Sequence, residues 1–457
     1  MRWWRSLPAL LAATVTAATL TGTGTAPAGA TEAMPECALP GAGAATTSAS
    51  PAAEGFDPAK LARAMDFAQS RLRLNVQVHR NNCLVAAGRL NPLTGGVPWN
   101  IWSSTKSVVA LVAGIARDQG RLDLAAPIGR YLPAGVGDAA HRAITVRDLL
   151  TQTSGLKQAI VSDVGASVAG ADTDVVGQAM ALPITHAPGT YFEYSQRGPD
   201  LLAYVVERAV GEDFQAFAQR NLFDPIGIGS HDHVWLRDRA GHTYGFANLY
   251  LPPDDLARLG LLLVNGGSWN DRRVVSSSYL DQLRAPSATN ACYGYLVWVN
   301  HAPCVGPSLP SRKVYPAVPL AALPSDAYAM VGFLQQNNFV VPSLNLVVTW
   351  TGVLGDVSLD PQTLISASPD SELYHEFLRL LGQSFVRPRL PDPGPYRQNF
   401  NFDIQPGQFL DPAVTLGSLA IGPDAPAGCT PMACGGTLLP HQGTVQNLNA
   451  VLGLVTH

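Results

Sequence analysis

One stretch constrains this chain more than any other. Ser104 to about Gln119 carries Val108, Val109, Leu111, Val112 and Ile115 and stops at Gly120. It is apolar nearly all round, so as a helix it offers no face to water and belongs at the buried centre of a large core. A chain of 457 residues, 47% of them hydrophobic, is long enough to build that core, and by length alone could form two or three domains. The head of this helix is chemically unusual. Ser103 stands three residues before Lys106, and on a helix that spacing puts both side chains on one face with Cβ atoms about 5–6 Å apart. A serine–lysine nucleophile pair needs that reach. A lysine serves as a base only where burial or neighbouring charge lowers its pKa from about 10.4 toward about 7 or 8, and a buried helix suits that requirement.

The spacing occurs twice. With only four lysines in the chain (Lys60, Lys106, Lys157 and Lys313), chance supplies about 0.2 such pairs, yet Ser154 and Lys157 repeat it. Glycine follows Ser154 in Thr153-Ser154-Gly155-Leu156, which argues for a turn whose lysine need not point back. Ser103 instead begins a helix, where free backbone N–H groups and the positive dipole end favour developing negative charge. A GxSxG elbow fails by one residue at Gly165-Ala166-Ser167-Val168-Ala169, and the strand that an elbow requires is missing there.

Around the central helix, Asp57-Pro58 starts an amphipathic helix through Leu61, Met65 and Phe67. Val76–His79 and Leu84–Ala87 flank the polar turn Asn81-Asn82 as a strand pair. From Ile144 to about Arg220 the pattern is mainly helical, with Asp200–Ala209 closed by Gly211. Strand character returns at Tyr293–Val299, Tyr328–Phe333, Phe339–Val341 and Leu344–Trp350. A last helix is expected from Pro369 to Leu381, capped by Ser368 and ended by Gly382. This order predicts an α+β fold, an antiparallel sheet flanked by helices with a mostly helical subdomain, rather than alternating βαβ units.

The expected domains are a signal peptide over 1–30, a flexible leader over 31–55, the main domain over 56–385, and a Pro/Gly-rich C-terminal extension over 386–457. The basic start Met1–Arg5, the apolar run Leu7–Leu20 and the small residues ending at Ala30 read as a secretory leader cleaved near Ala30. That implies a secreted or periplasmic protein with no stable membrane anchor. Six cysteines fit an oxidising compartment, and their spacing suggests Cys292–Cys304 and Cys429–Cys434, leaving Cys37–Cys83, one of fifteen connectivities. A net charge of −4 argues against nucleic acid as a partner.

Several stretches, in order along residues 56–385, resemble the penicillin-recognising serine hydrolases: class C β-lactamases, DD-peptidases, family VIII esterases and 6-aminohexanoate-dimer hydrolases. They are Trp102-Ser103-Ser104-Thr105-Lys106-Ser107, Asp148 to Leu156, Pro188 to Gln196, Asp254 to Gly260, and the strand pair around Val341-Pro342-Ser343. SxxK is a mark of that superfamily. The resemblance implies a β-lactamase/transpeptidase-like fold, with Ser103 as nucleophile and Lys106 as its base. Tyr194 matches the tyrosine of the YxN motif, which relays a proton to the leaving group; a phenol near pKa 10 needs a cation such as Lys106 nearby to serve. The oxyanion hole would comprise the backbone N–H groups of Ser103 and Met330. Gln196, Tyr191, Gly332, Phe333 and Gln335 would line the substrate site.

The chain departs from the family at three places. Ala327-Tyr328-Ala329-Met330 replaces Lys-Thr-Gly and supplies no cation for a lactam carboxylate. Gln335 replaces the second glycine of the esterases' Gly-x-x-Gly-Gln and should make the pocket wall bulkier. Gln196 replaces the Asn of YxN, one methylene longer with the same hydrogen-bonding groups. These changes point to a small-molecule ester or amide ahead of a lactam, with a β-lactamase, a DD-carboxypeptidase or a catalytically silent binding protein as alternatives. No cofactor is implied. His231-Asp232-His233 and His242 lack a third ligand at reliable spacing, so no metal is expected. Asp254 and Asp255 read as caps of the helix they begin.

Overall fold

The computed structural model describes residue 34, residues 36–159, 167, 170, 172–307, 312–353, 371–397 and 405–430, and positions 433, 434, 437, 438, 449, 452 and 453. The elements below belong to the unit Pro35–His457. The expected signal peptide, the start of the last helix and the discarded Gly165–Ala169 elbow, apart from Ser167, lie outside the described residues.

Helix α1, Pro58–Ser70, starts as its sequence dictates, with the Asp57 carboxylate accepting from the N–H groups of Ala59 and Lys60. Strands β1 (Arg73–Arg80) and β2 (Cys83–Ala87) form a hairpin. Asn81 and Asn82, at φ 47° and 64°, take the two left-handed positions that a tight two-residue turn demands. Helix α2 is the apolar segment, Ser104–Asp118, buried through Ala116. The helical subdomain follows, with α3 (Val146–Leu150), α4 (Val175–Ala181) and α5 (Arg197–Val210), the last closed by Gly211 at φ 69°. Helix α6, Pro253–Val264, returns the chain to the sheet. The strands β3 (Trp298–Val299), β4 (Tyr328–Gly332), β5 (Gln336–Val341) and β6 (Leu346–Gly352) complete it, and α7, Glu372–Ser384, covers it. In the extension, α8 spans Pro412–Ser418.

The sheet runs β2-β1-β6-β5-β4-β3, antiparallel throughout, with Val78 opposite Val348 and Phe339 opposite Val348 on the other side. Its two faces are told apart by alternation along each strand. Phe339 and Trp350 pack on Tyr374 of α7, while Asn338 donates to the Leu256 carbonyl of α6. Helix α2 lies on the α6 side, and its buried polar groups tie it down: Ser104 Oγ donates to Gln336 O at 2.8 Å and Ser107 Oγ to Leu296 O at 2.6 Å. Gly114 lets α2 approach Tyr279, whose ring would meet an added Cβ at 2.2 Å. The Tyr279 hydroxyl donates to Ala110 O across this contact.

Four local expectations are revised. Tyr293–Val299 is strand only at Trp298–Val299, because Gly294 and Leu296 are engaged in turns against Leu283 and Leu150. The last helix is capped by Ser371, whose hydroxyl accepts from Tyr374 N–H, and it runs through Gly382 to Ser384. Asp254 and Asp255 fall in the first turn of α6 but neither caps it; Asp254 accepts instead from Gln77 of β1. The leader over 36–55 is held, not loose. Cys37 is disulfide-bonded to Cys83, Leu84 N–H donates to Thr47 O, and Ala49 N–H donates to Leu84 O along the edge of β2. The other two disulfides, Cys292–Cys304 and Cys429–Cys434, match their expected pairing.

Candidate active site

Ser103 is the N-cap of α2, yet its hydroxyl caps nothing. It receives a hydrogen bond from Lys106 Nζ at 3.1 Å. The residue before it, Trp102, is held at φ 47° by its N–H bond to Asn100 Oδ1. That is a costly conformation for a bulky residue, of the kind that clusters at functional turns. The end of β4 meets this turn. An added Cβ on Gly332 would lie 2.2 Å from Ile101 O, so no larger residue fits without movement, and the Phe333 ring sits edge-on to Trp102 at 5.3 Å.

Lys106 is buried. Beyond Ser103 it donates to Gln196 Oε1 at 2.7 Å and to the Phe246 carbonyl at 3.1 Å, and its ammonium lies 4.8 Å from the centre of the Tyr194 ring. Two of these acceptors can only accept. A neutral amine would therefore spend both hydrogens on Gln196 and Phe246 and turn its lone pair toward Ser103 Oγ. Tyr194 closes the arrangement: burial pushes its phenol above its ordinary value of 10, although the nearby Ser103 side chain works in the opposite direction. The ring stacks on Trp298 and stands edge-on to Tyr293.

The backbone segment carrying Tyr194 and Gln196 is pinned by Gln152, whose amide accepts from Ser195 N–H at 2.8 Å and donates to Ser195 O at 3.2 Å. A buried ionic network fixes the Phe246 carbonyl. Asp200 accepts from the N–H groups of Gly245 and Phe246 and pairs with Arg197 at 2.8 Å, and Arg197 also pairs with Asp172 at 3.0 Å. Tyr244 donates to the same Asp172. Loss of one member of such a buried set strands the others' charge, so the network resists displacement.

Not every expected residue joins this cluster. Met330 is completely buried inside β4 opposite Asn338, with its sulfur 3.8 Å from Asn338 Nδ2. The part of the strand that meets the Ser103 turn is Gly332-Phe333. Gln335 does not form a pocket wall: its side chain is buried and donates to Ser371 Oγ at 3.2 Å, while Arg73 clamps the carbonyls of Leu334 and Gln335 at 3.0 Å each. The glycine replaced there is still felt, because Leu334 and Gln335 both hold positive φ. Tyr191 is sandwiched between His186, at 3.9 Å, and Arg312, at 4.6 Å, apart from Lys106 and Tyr194. Gln196 is spent on Lys106. The Ser154 hydroxyl accepts from Leu156 N–H, beside Gly155 at φ 79°, so the second serine–lysine spacing is a turn. The roles of Phe246, Gln152 and Asp200 are not signalled by any motif chemistry; Gln152 falls in the family-like stretch Asp148 to Leu156, but its clamp on Ser195 is visible only in three dimensions.

The chain is similar to several known proteins. Esterase EstB of Burkholderia gladioli is 30% identical over 157 residues, 31% of this chain and 39% of the esterase. Monacolin J acid methylbutanoyltransferase of Aspergillus terreus is 28% identical over 172 residues, 33% of this chain and 40% of that enzyme. The matched part is thus about two fifths of these relatives' length. The crystal structure of a family VIII carboxylesterase shares the fold, with a TM-score of 0.52, 15% identity, and coverage of 70% of this chain and 96% of that one. A family model described as Beta-lactamase matches residues 59–351, the span that holds α2, the helical subdomain and the sheet through β6, and the chain belongs to the beta-lactamase family.

Proposed function

We propose that the protein is an exported serine hydrolase that cleaves a small ester or amide through an acyl-enzyme on Ser103. The observation that carries this reading is the hydrogen bond from Lys106 Nζ to the Ser103 hydroxyl, with the buried Tyr194 ring 4.8 Å from the same Nζ. Lys106 takes the Ser103 proton as Oγ attacks the carbonyl carbon. The developing oxyanion sits between the N–H of Ser103 and the backbone at Phe333, just past the end of β4, donors typically worth about 3 to 4 kcal/mol each to the transition state. As the intermediate collapses, Tyr194 passes its proton to the leaving oxygen or nitrogen and is reprotonated from Lys106. Its buried phenol does not stand as a free phenolate. Water then attacks the acyl group with Lys106 again as base, and Ser103 is regenerated. Trp102 and Phe333, both half-buried, give the acyl or alkoxy group an apolar surface. Ester or amide ranks above lactam because the stretch from Ala327 through β4 to Gly332-Phe333, where it meets the Ser103 turn, offers no cation for a lactam carboxylate. The three disulfides support export to an oxidising compartment, and no described helix is long and apolar enough to cross a membrane.

The test is a panel of nitrophenyl esters, anilides and nitrocefin, with intact-mass detection after a fluorophosphonate probe. The wild type should turn over esters fastest and gain one adduct on Ser103, and Ser103→Ala should do neither. Full activity in Ser103→Ala would refute the mechanism, and nitrocefin turning over faster than the esters would refute the substrate class.

A further inference from the structure

A second constellation lies outside the Ser103 cluster and is not used by it. Asp174, the N-cap of α4, and Asp238 and His242, at the two ends of one turn, are all buried, and a ligand atom from each lies within 4.8 Å of the others. The C-terminal extension brings a fourth group, Asp424. His242 Nε2 points between two carboxylates, 3.5 Å from Asp174 Oδ1 and 3.6 Å from Asp424 Oδ2. His242 is only 8% exposed, and Nε2 makes no hydrogen bond.

We propose that Asp174, Asp238, His242 and Asp424 form a zinc(II) site that fastens the C-terminal extension to the helical subdomain. Nitrogen and oxygen ligands about 2.0–2.2 Å from a tetrahedral zinc stand about 3.4 Å from one another, which matches the two distances from Nε2. The charges ask for the same thing. Three carboxylates face one imidazole, and no lysine or arginine among the described residues pairs with any of them. Their other contacts are neutral. Asp174 accepts from Gly177 and Asp424 N–H, Asp238 from Val175 and His242 N–H, and Asp424 from the Tyr204 hydroxyl. These bonds orient the carboxylates while leaving lone pairs for a cation. An imidazole ligand selects zinc over calcium or magnesium, which prefer all-oxygen sites.

The extension already docks in a way that sets Asp424 in place. Helix α8 packs on α4 with Val414 completely buried, Thr173 Oγ1 donates to Ala420 O, and Gly422 lies so close to Gly177 that neither tolerates a side chain. The turn Asp238–His242 leads directly into Tyr244-Gly245-Phe246, the segment whose carbonyl holds Lys106. Zinc would therefore stiffen both the extension and the support of the lysine.

The experiment uses the full exported chain, stripped with a chelator and then titrated with zinc chloride by calorimetry. Metal content after desalting is read by mass spectrometry, and thermal midpoints are recorded alongside. One equivalent of zinc retained, with a midpoint raised by several degrees, is the expected result. Asp424 is exposed and outside the core, so Asp424→Asn should fold as wild type without metal yet bind zinc at least tenfold more weakly, and His242→Gln should bind weaker still. Limited proteolysis should cut the extension more slowly in the zinc form. Substoichiometric zinc, an unchanged midpoint, tighter binding of manganese or calcium, or wild-type zinc affinity in Asp424→Asn would each overturn the assignment.

Discussion

The buried imidazole of His79 should set the acid limit of this fold. His79 sits in β1 between Leu84 and Val347, is 1% exposed, and neither ring nitrogen has a hydrogen-bond partner. Burial lowers its pKa from 6.5 to about 4. The sign follows from proton counting. Between pH 4 and 6.5 the unfolded chain binds a proton at this position that the folded chain does not, so stability rises with pH through that window and is fully present above it. At about 1.4 kcal/mol per decade, the gap is worth about 3 kcal/mol once both values are passed, and about 2 kcal/mol of it is lost by pH 5. His79→Leu removes the titration and breaks no hydrogen bond, so its stability at pH 7 should equal or exceed that of the wild type. Urea unfolding of both proteins, disulfides intact, at pH 7 and pH 5 isolates the contribution, because every other titrating group is common to the two. The wild type should lose about 2 kcal/mol more than the variant over that step. Equal losses would refute the reasoning and place a proton acceptor or water at His79.

The site makes further predictions. Gln196→Leu deprives Lys106 of a hydrogen bond to a charged group, worth about 1.5–3 kcal/mol, so kcat should fall about 10- to 100-fold, whereas Gln196→Asn should retain most activity; steady-state kinetics on the best ester decide. Because burial raises the Tyr194 phenol above 10, the pH profile of kcat/KM should show no loss from phenol ionisation up to pH 10, while Tyr194→Phe should slow the reaction of poor leaving groups most. Asp200→Ala leaves Arg197 buried with less compensation and frees the Phe246 loop; it should cost about 3–5 kcal/mol in denaturant unfolding. Leu334→Gly relieves a left-handed leucine at φ 55° and should raise stability by about 1 kcal/mol, measurable as a higher midpoint.

The sequence carried the elements whose pattern is local and lost those fixed by distant partners. Asp57-Pro58, the Asn81-Asn82 turn, the apolar α2 and the Gly211 stop are each written in neighbouring residues, and each stands where its pattern puts it. Ser103, Lys106 and Tyr194, whose order a family motif supplies, lie side by side in the fold. The carbonyl of Phe246 has no side-chain signature, and its position depends on Asp200, forty-six residues earlier. A missing glycine at Gln335 suggests a bulky wall, whereas positive φ and the Arg73 clamp turn its side chain into the core. Counting along the strand points to Met330, whereas the strand meets the Ser103 turn at Gly332-Phe333. His242 stands close in sequence to His231 and His233. Its real neighbours, Asp174 and Asp424, come from far along the chain on either side.

The leader that looked featureless gives the sheet its border. Strand β2 is an outer strand, and the unused N–H and C=O groups of such a strand are a template for another chain. Residues 47–49 occupy that edge by bonding to Leu84, and the Cys37–Cys83 link keeps them there. The bridge spans 46 residues, enough for about 4 kcal/mol by loop closure, but its larger effect is on colloidal behaviour. Reducing this bond should expose the edge, and concentration-dependent light scattering with and without reductant would show the resulting self-association. The link between leader and hairpin thus bears on how the molecule meets its own copies, separate from any demand of its chemistry.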